Sequence, residues 1–246
     1  MVICPGLQAF EEWGFLPYLG DRLARAGFAA VSFSFSGSGV GEDGETFDEL
    51  ERFAHNTYSQ ELQDLHIVLD AVTNGAFGFQ PSAYGLIGHS LGGGIATLRA
   101  ARDERVRALV TWAAVARLGR LIAPVTDELR RTGKSRIVNQ RTGQELPLER
   151  DILDDLDAHG ATALNVLQAA GRVRAPWLIV HGTADASVPW GDGRDLRKAA
   201  RDGATDLFLV DGADHTFGAR QPWAGSNPAL EQVVWRTVDW CARHLA

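Results

Sequence analysis

Residues 86–94 read LIGHSLGGG, in which Gly88 and Gly92 flank Ser90 in the pattern G-x-S-x-G. The apolar run YGLIG before Ser90 is typical of a buried strand, whereas LGGGIATLRAA after it is typical of a helix. At a sharp turn from strand to helix the serine is strained, and only glycine avoids clashes on either side of it. We therefore predict that Ser90 is a nucleophile on such a turn. The alternative is a purely structural glycine turn.

Outside this stretch, short apolar runs alternate with longer helical patterns along the 246 residues. This alternation is typical of repeated βα units and predicts an α/β fold with a mostly parallel sheet flanked by helices. The predicted strands are residues 2–4, 29–35, 83–88, 106–113, 177–180 and 206–210, and the predicted helices are residues 15–26, 60–74, 91–101, 193–200 and 228–243. We expect one domain that spans residues 1–246.

The pattern becomes longer and more polar between Trp112 and Trp177. Here VTDELRRTG predicts a short helix closed by Gly133, SRIVNQRTGQELPL predicts a hairpin that turns at Thr142 and Gly143, and residues 149–170 have a helical pattern. An insertion between two core strands lies over the carboxyl edge of the sheet, where ligands bind. We predict that residues 117–165 form a lid, with a surface excursion as the alternative.

Composition excludes several classes of protein. The formal net charge of −7 argues against nucleic acid as the partner, because that binding needs clustered Lys and Arg. No apolar segment is long enough to span a membrane. Cys4 and Cys241 form no CxxC or metal-ligand spacing, so we expect reduced thiols. The start MVICPG has no signal-peptide pattern, which predicts the cytoplasm, although an initial strand this close to residue 1 is compatible with an earlier natural start.

A serine nucleophile needs a general base, and that base needs a carboxylate to orient it. The strand WLIV runs into HGTADASVP, which places Asp185 just beyond the carboxyl end of a strand. The strand DLFLV runs into DGADHTFG, which places His215 beyond the next one. The order Ser90, Asp185, His215 is the order expected of a nucleophile on a strand-turn-helix. We predict these three residues as the catalytic set.

Other residues are weaker candidates for these roles. His89 adjoins Ser90 and should point elsewhere, and His181 is expected to pack against a neighbouring loop. Asp214 should face away from the site, and Asp211 precedes a turn glycine. The remaining histidines, His55, His66, His159 and His244, have no partner pattern.

The oxyanion of an acyl-transfer intermediate needs two donors, which backbone N–H groups usually supply. We predict the amide of Leu91, at the start of a helix, and the amide of Leu7 in CPGLQA, with Gln8 in reserve. An ordinary turn at residues 5–6 is the alternative. We expect Gly93 and Gly94 to permit close packing of the helix or of this loop.

With these residues in place, the chain resembles the α/β-hydrolase superfamily, and within it the bacterial esterases of the cinnamoyl and feruloyl esterase type. GHSLGG, HGTADASVP and GADHTF are the strongest matches, and CPGLQAF stands where such proteins have their oxyanion loop. The resemblance implies hydrolysis of carboxylic esters through an acyl-enzyme on Ser90. Cys4 and Pro5 replace the usual histidine before the glycine, and two leading strands are absent, so we expect about six parallel strands.

We therefore expect a serine carboxylesterase for small to medium acyl or aryl esters, without metal or cofactor because the catalytic set makes its own nucleophile. A thioesterase, a peptidase or a C–C bond hydrolase would use the same residues, and a non-catalytic binding protein is a further alternative. The expected partner is a small-molecule ester, and the sequence leaves a homodimer open. The residues predicted to line the pocket are Leu7, Gln8, His89, Leu91, Trp112, Leu118, Leu121 and Ile122, with plain core packing as the alternative for the apolar ones.

Overall fold

The computed structural model describes residues 1–201 and 203–245. Its strands are β1 (Val2–Cys4), β2 (Val31–Ser32), β3 (Tyr84–His89), β4 (Val106–Trp112), β5 (Lys134–Val138), β6 (Glu145–Glu149), β7 (Trp177–Gly182) and β8 (Thr205–Val210). Its α-helices are α1 (Leu16–Arg25), α2 (Leu50–Ala54), α3 (Tyr58–Thr73), α4 (Leu91–Ala100), α5 (Thr126–Thr132), α6 (Asp151–His159), α7 (Val166–Ala170), α8 (Gly191–Ala199) and α9 (Pro228–Leu245).

Six strands form one parallel sheet in the order β2-β1-β3-β4-β7-β8. The chain runs from β1 outward to β2 and then crosses to β3 on the other side of β1, so the strand order reverses between β1 and β3. Ligands of open α/β sheets bind at such a reversal, outside the carboxyl ends of the strands. Cys4 is in register with Gly88, which places the loop after β1 beside the turn after β3.

Two hydrophobic cores cover the two faces of the sheet. One contains residues of α3, α4 and α8, such as Leu65, Ile95 and Leu196. The other contains residues of α1 and α9, such as Leu19 and Val233. All six residues of β3 and all six of β7 are buried, as expected of strands that are covered on both faces. The predicted α/β fold with about six parallel strands flanked by helices is confirmed.

Several element boundaries differ from the prediction. Helix α3 begins at Tyr58 because Thr57 caps it, accepting a hydrogen bond from the amide of Gln60. Strand β2 was predicted over 29–35 but pairs only at Val31–Ser32, since the chain then turns away and the amide of Ser36 donates to Asp64 of α3. Helix α2 was not predicted.

Residues 117–165, between β4 and β7, leave the sheet. They begin with two short 3-10 turns, Leu118–Arg120 and Ala123–Val125, followed by α5, the antiparallel hairpin β5–β6 and α6. Gly133 closes α5 with a φ of 79°, as its position in the sequence predicts. The helical stretch predicted over 149–170 is broken after α6, because Asn165 caps a separate helix, α7, by accepting from the amide of Gln168.

Candidate active site

Ser90 lies on a sharp turn between β3 and α4. Its φ of 55° is unfavourable for a residue with a side chain. The neighbouring strand holds this conformation, because the Ser90 amide donates to the carbonyl of Trp112 at 2.9 Å. A Cβ at Gly88 would collide with the backbone of Gly92, and one at Gly92 would collide with the carbonyl oxygen of Pro5. Both glycines are therefore required by close backbone contacts.

The two glycines that follow have a different role. A Cβ at Gly93 would lie 2.5 Å from Cβ of Ala114, and one at Gly94 would lie 2.9 Å from Cγ2 of Val115. Gly93 and Gly94 thus let α4 pack closely against the segment after β4. The approach of the loop after β1 depends on Gly92 instead.

His215 and Asp185 come together at the carboxyl edge of the sheet. Asp185 follows β7, His215 follows β8, and Nδ1 of His215 is 2.8 Å from Oδ2 of Asp185. The other carboxylate oxygen accepts from the amides of Ser187 and Val188 at 2.9 and 2.8 Å. Burial acts to raise the pKa of Asp185, but hydrogen bonds from His181, His215 and the Val188 amide lower it below the ordinary value. Asp185 is therefore a carboxylate that keeps His215 in one orientation.

Two further residues hold this pair in place. His181 is fully buried, with Nε2 at 2.8 Å from the carbonyl oxygen of Val188 and 3.3 Å from Oδ2 of Asp185. A Cβ at Gly182 would collide with the carbonyl oxygen of Ala213, so Gly182 lets the loops after β7 and β8 touch. The sequence indicated that His181 packs against a loop, but it did not indicate that the loop is the one that carries Asp185.

His89 packs against His215 and the loop that carries it. Its Nε2 donates to the carbonyl oxygen of His215 at 3.0 Å, and the two rings lie 4.8 Å apart. Burial, followed by the proximity of His215, lowers the pKa of His89 to about 3. His89 is therefore neutral near pH 7, and its ring positions the His215 loop.

Two backbone amides border the Ser90 side chain. The amide of Leu91 is the first of α4, and Gly6 approaches Ser90 closely enough that an added Cβ would lie 3.1 Å from Cβ of Ser90. Within residues 1–201 and 203–245, the amides of Leu7 and Leu91 donate to no backbone or side-chain acceptor. Gln8 has a φ of 59°, which turns the loop after β1 over the site. Both predicted donors are thus unpaired near Ser90.

A cavity of about 400 Å³ joins these groups, and we call it the Ser90 cavity. It is lined by residues 6–9 of the loop after β1, by His89 and Ser90, by residues 137–141 of the hairpin, by His215 and Thr216, and by Trp13, Leu121, Ser187 and Val188. Ser90 and His215 therefore face one space, although Oγ of Ser90 makes no hydrogen bond within the described part of the chain.

Four of the predicted pocket residues do not line this cavity, and one of them, Leu91, is 1% exposed in the core of α3 and α4. Trp112 is fully buried on the face of α1 and α9, where its Nε1 donates to Thr237. Leu118 and Ile122 are 2% and 1% exposed, because the two 3-10 turns press them into the core of α3 and α4. Of the predicted pocket residues, Leu7, Gln8, His89 and Leu121 line the Ser90 cavity. The hairpin residues and Trp13 were not predicted.

The rival aspartates bind loop groups other than the catalytic histidine: Asp214 binds its own loop, and Asp211 binds the loop after β7. Oδ1 of Asp214 accepts from the amides of Thr216 and Gly218, and Oδ1 of Asp211 accepts from the hydroxyl of Thr183. Neither reaches a histidine ring. In the part of the chain that the structure describes, no group of three or more His, Cys, Asp or Glu could hold a metal ion. No helix in the same residues has the length and apolarity to cross a membrane.

A parallel sheet with a strained serine at the strand reversal and a His–Asp pair on later strands defines an α/β hydrolase. The model of the alpha/beta hydrolase family matches residues 1–229, and the chain belongs to that family. Among curated proteins, no sequence matches the chain.

Solved structures share the fold at low sequence identity. A putative hydrolase from Agrobacterium vitis S4 is 23% identical, with a TM-score of 0.74 over 100% of this chain and 87% of that one. Est1E from Butyrivibrio proteoclasticus, also solved with ferulic acid bound, is 18% identical, with a TM-score of 0.69 over 98% and 86% of the two chains. A monoacylglycerol lipase from Paleococcus ferrophilus is 18% identical, with a TM-score of 0.70 over 99% and 93%.

Proposed function

We propose that this protein is a serine esterase that cleaves small to medium acyl or aryl esters through an acyl-enzyme on Ser90. The observation that carries the proposal is that His215, hydrogen-bonded to Asp185, borders the same cavity as Ser90 on its strained turn. Because Nδ1 of His215 is hydrogen-bonded to Asp185, Nε2 is the ring nitrogen that is left to accept the proton of Ser90. Asp185 has the role of orienting the ring and stabilising the imidazolium that forms.

Each step of the proposed reaction can be assigned to a residue that carries it out. Neutral His215 removes the proton of Ser90 as Oγ attacks the ester carbonyl, and the same proton then passes to the leaving alcohol oxygen. Water, deprotonated by His215, attacks the acyl-enzyme; the acyl–Oγ bond breaks, the acid leaves, and His215 returns the proton to Oγ of Ser90. The amides of Leu91 and Leu7 are the proposed donors to the oxyanion in both halves of the reaction, and the start of α4 favours negative charge there.

The size and walls of the Ser90 cavity support the proposed range of substrates. A volume of about 400 Å³ suits one small or medium acyl or aryl group. Hairpin residues 137–141 form one wall, which is the basis for proposing that the excursion over 117–165 acts as a lid within a single domain. Solved relatives in fold are named as an esterase domain and a monoacylglycerol lipase.

The test combines labelling with turnover. We expect a fluorophosphonate probe to label the folded wild type but not Ser90→Ala. A panel of p-nitrophenyl esters of increasing acyl length, beside methyl ferulate and an acyl-CoA, then separates ester, feruloyl and thioester hydrolysis. Ser90→Ala should lose turnover while it keeps the free energy of unfolding of the wild type within about 1 kcal/mol, since this change removes only one hydroxyl. A folded wild type that is neither labelled nor active on any ester would refute the proposal.

A further inference from the structure

The charges that border the Ser90 cavity are unbalanced. Arg141, at the tip of the hairpin between β5 and β6, is the one arginine or lysine among the described lining residues, and none of those residues is an aspartate or glutamate. Two other arginines of the excursion are already paired, Arg136 with Glu145 at 2.7 Å and Arg130 with Asp157 at 2.8 Å. For Arg141 no carboxylate lies within 4.0 Å in residues 1–201 and 203–245.

A second polar group points to a ligand at the same place. Asn139 lines the cavity and is only 4% exposed. Its Oδ1 accepts from the amides of Arg141 and Thr142 at 3.0 and 3.3 Å, which holds its side-chain amide in one orientation. Its Nδ2 makes no hydrogen bond within the described residues and is not among their fully buried polar atoms, so an acceptor on a ligand in the cavity can reach it.

The rest of the cavity wall is mainly apolar. Its apolar side chains include Leu7, Trp13, Leu121, Ile137 and Val138. The wall thus combines the reacting Ser90 and His215, apolar side chains, and a hairpin tip with a permanent cation and an amide donor. A guanidinium matches the two oxygens of a carboxylate in a planar, bidentate arrangement.

We propose that the preferred substrates are esters that carry a carboxylate at the end remote from the reacting carbonyl, bound by Arg141 and Asn139. This inference rests on the proposed esterase function and names its substrate class. Arg141 is exposed, so its effect is screened by salt, and we expect a preference of about tenfold at low ionic strength. Because the group lies away from the reacting atoms, the effect falls on KM rather than on kcat.

The test uses two esters of equal chain length, p-nitrophenyl hexanoate and the mono-p-nitrophenyl ester of adipic acid. Wild type should show the higher kcat/KM on the adipate ester, and Arg141→Gln should lower the adipate-to-hexanoate ratio about tenfold through KM. Arg136→Gln is the matched control, because it removes an arginine from the same hairpin that is 69% exposed and already paired. Its ratio should equal that of wild type. Equal ratios in wild type and Arg141→Gln would overturn the inference and leave the esterase function standing.

A binding measurement separates failure of the two proposals. Calorimetric titration of Ser90→Ala with each ester reports affinity without turnover, and the adipate ester should bind about tenfold more tightly, with the difference lost in Ser90→Ala/Arg141→Gln. Tighter binding of the adipate ester with no turnover by wild type would refute the esterase and support the anion site. Equal binding of both esters would overturn the anion site whatever the activity.

Discussion

Glu61 of α3 offers the sharpest test of how this core is built. It is 2% exposed, and its Oε1 accepts a hydrogen bond from Nδ2 of Asn56 at 2.8 Å. In the part of the chain that the structure describes, Oε2 of Glu61 and Oδ1 of Asn56 are both buried without a donor. A proton on Oε2 would supply the missing donor, and we expect it to point to the unpaired amide oxygen of Asn56 while Oε1 accepts from the amide nitrogen. Burial, with a contribution from Asp64, raises the pKa of Glu61 to about 8 against the opposing effect of the Asn56 bond.

The perturbation is Glu61→Gln, which supplies the N–H donor permanently and removes the titration. Folding keeps Glu61 protonated at pH 7, although its ordinary pKa is 4.5. At about 1.4 kcal/mol for each pKa unit, this costs the wild type about 3 kcal/mol of unfolding free energy at pH 7. A raised folded-state pKa gives stability that is full below pH 4.5 and is lost as the pH rises towards 8. We therefore expect Glu61→Gln to equal the wild type at pH 4.5 and to be more stable by roughly 3 kcal/mol at pH 7.

The assay is urea unfolding followed by tryptophan fluorescence between pH 4.5 and 8. The difference between variant and wild type isolates Glu61, because every other titrating group contributes equally to both. Glu12→Gln, at an exposed position, is the control and should show no pH-dependent difference. A Glu61→Gln protein that is less stable than wild type at pH 7, or a difference that stays constant from pH 5 to 8, would show that Glu61 is ionised in the fold.

Three further outcomes are expected. Gly92→Ala should lower kcat at least about 100-fold, because the added methyl group displaces the loop that carries a proposed oxyanion donor. Its control is Gly20→Ala, where the added Cβ meets no atom nearer than 3.9 Å. This control should keep full activity and gain about 0.5 kcal/mol of unfolding free energy. Asp185→Asn should lower kcat on p-nitrophenyl esters roughly 10⁴-fold, because an asparagine amide can donate to Nδ1 and hold His215 in the tautomer that cannot accept the serine proton; a loss below tenfold would remove Asp185 from the mechanism. Because the pKa of His89 is lowered in the fold, its contribution to stability is full above pH 6.5 and is lost as the pH falls. Between pH 7 and pH 5 the wild type should therefore lose about 2 kcal/mol more unfolding free energy than His89→Phe. Equal losses in denaturant titrations would contradict a neutral His89.

Local patterns were enough to predict the elements of the sheet and the turn at Ser90. G-x-S-x-G is a short-range requirement, since Gly88 and Gly92 are needed by backbone only a few residues away or directly alongside. The loops with Asp185 and His215 were located for the same reason, because each directly follows a short apolar strand. Family membership also followed from such stretches, and the match over residues 1–229 confirms it.

The errors arose where packing, rather than local pattern, chooses between alternatives. Trp112 lies in an apolar run that is buried on both faces, so alternation cannot indicate which face its ring takes. The structure places that ring beside Thr237, more than a hundred residues away, and not in the cavity. The pattern over residues 149–170 is helical throughout, but the Asn165 cap divides it. The burial of Glu61 could not be predicted from the sequence either, because the helical periodicity of α3 does not indicate that Asn56 is its hydrogen-bond partner.

The sequence by itself determined the kinds of elements, their order and the chemical groups at the ends of three strands, because these depend on neighbours within a few residues. Only the tertiary structure decided which of those groups meet. The 2.8 Å contact between His215 and Asp185 needs β7 and β8 side by side, with Gly182 admitting the next loop. The position of Arg141 and Asn139 at the Ser90 cavity needs the hairpin to fold back over the sheet edge. Such contacts join residues far apart in the chain, and their formation depends on the burial of both cores together.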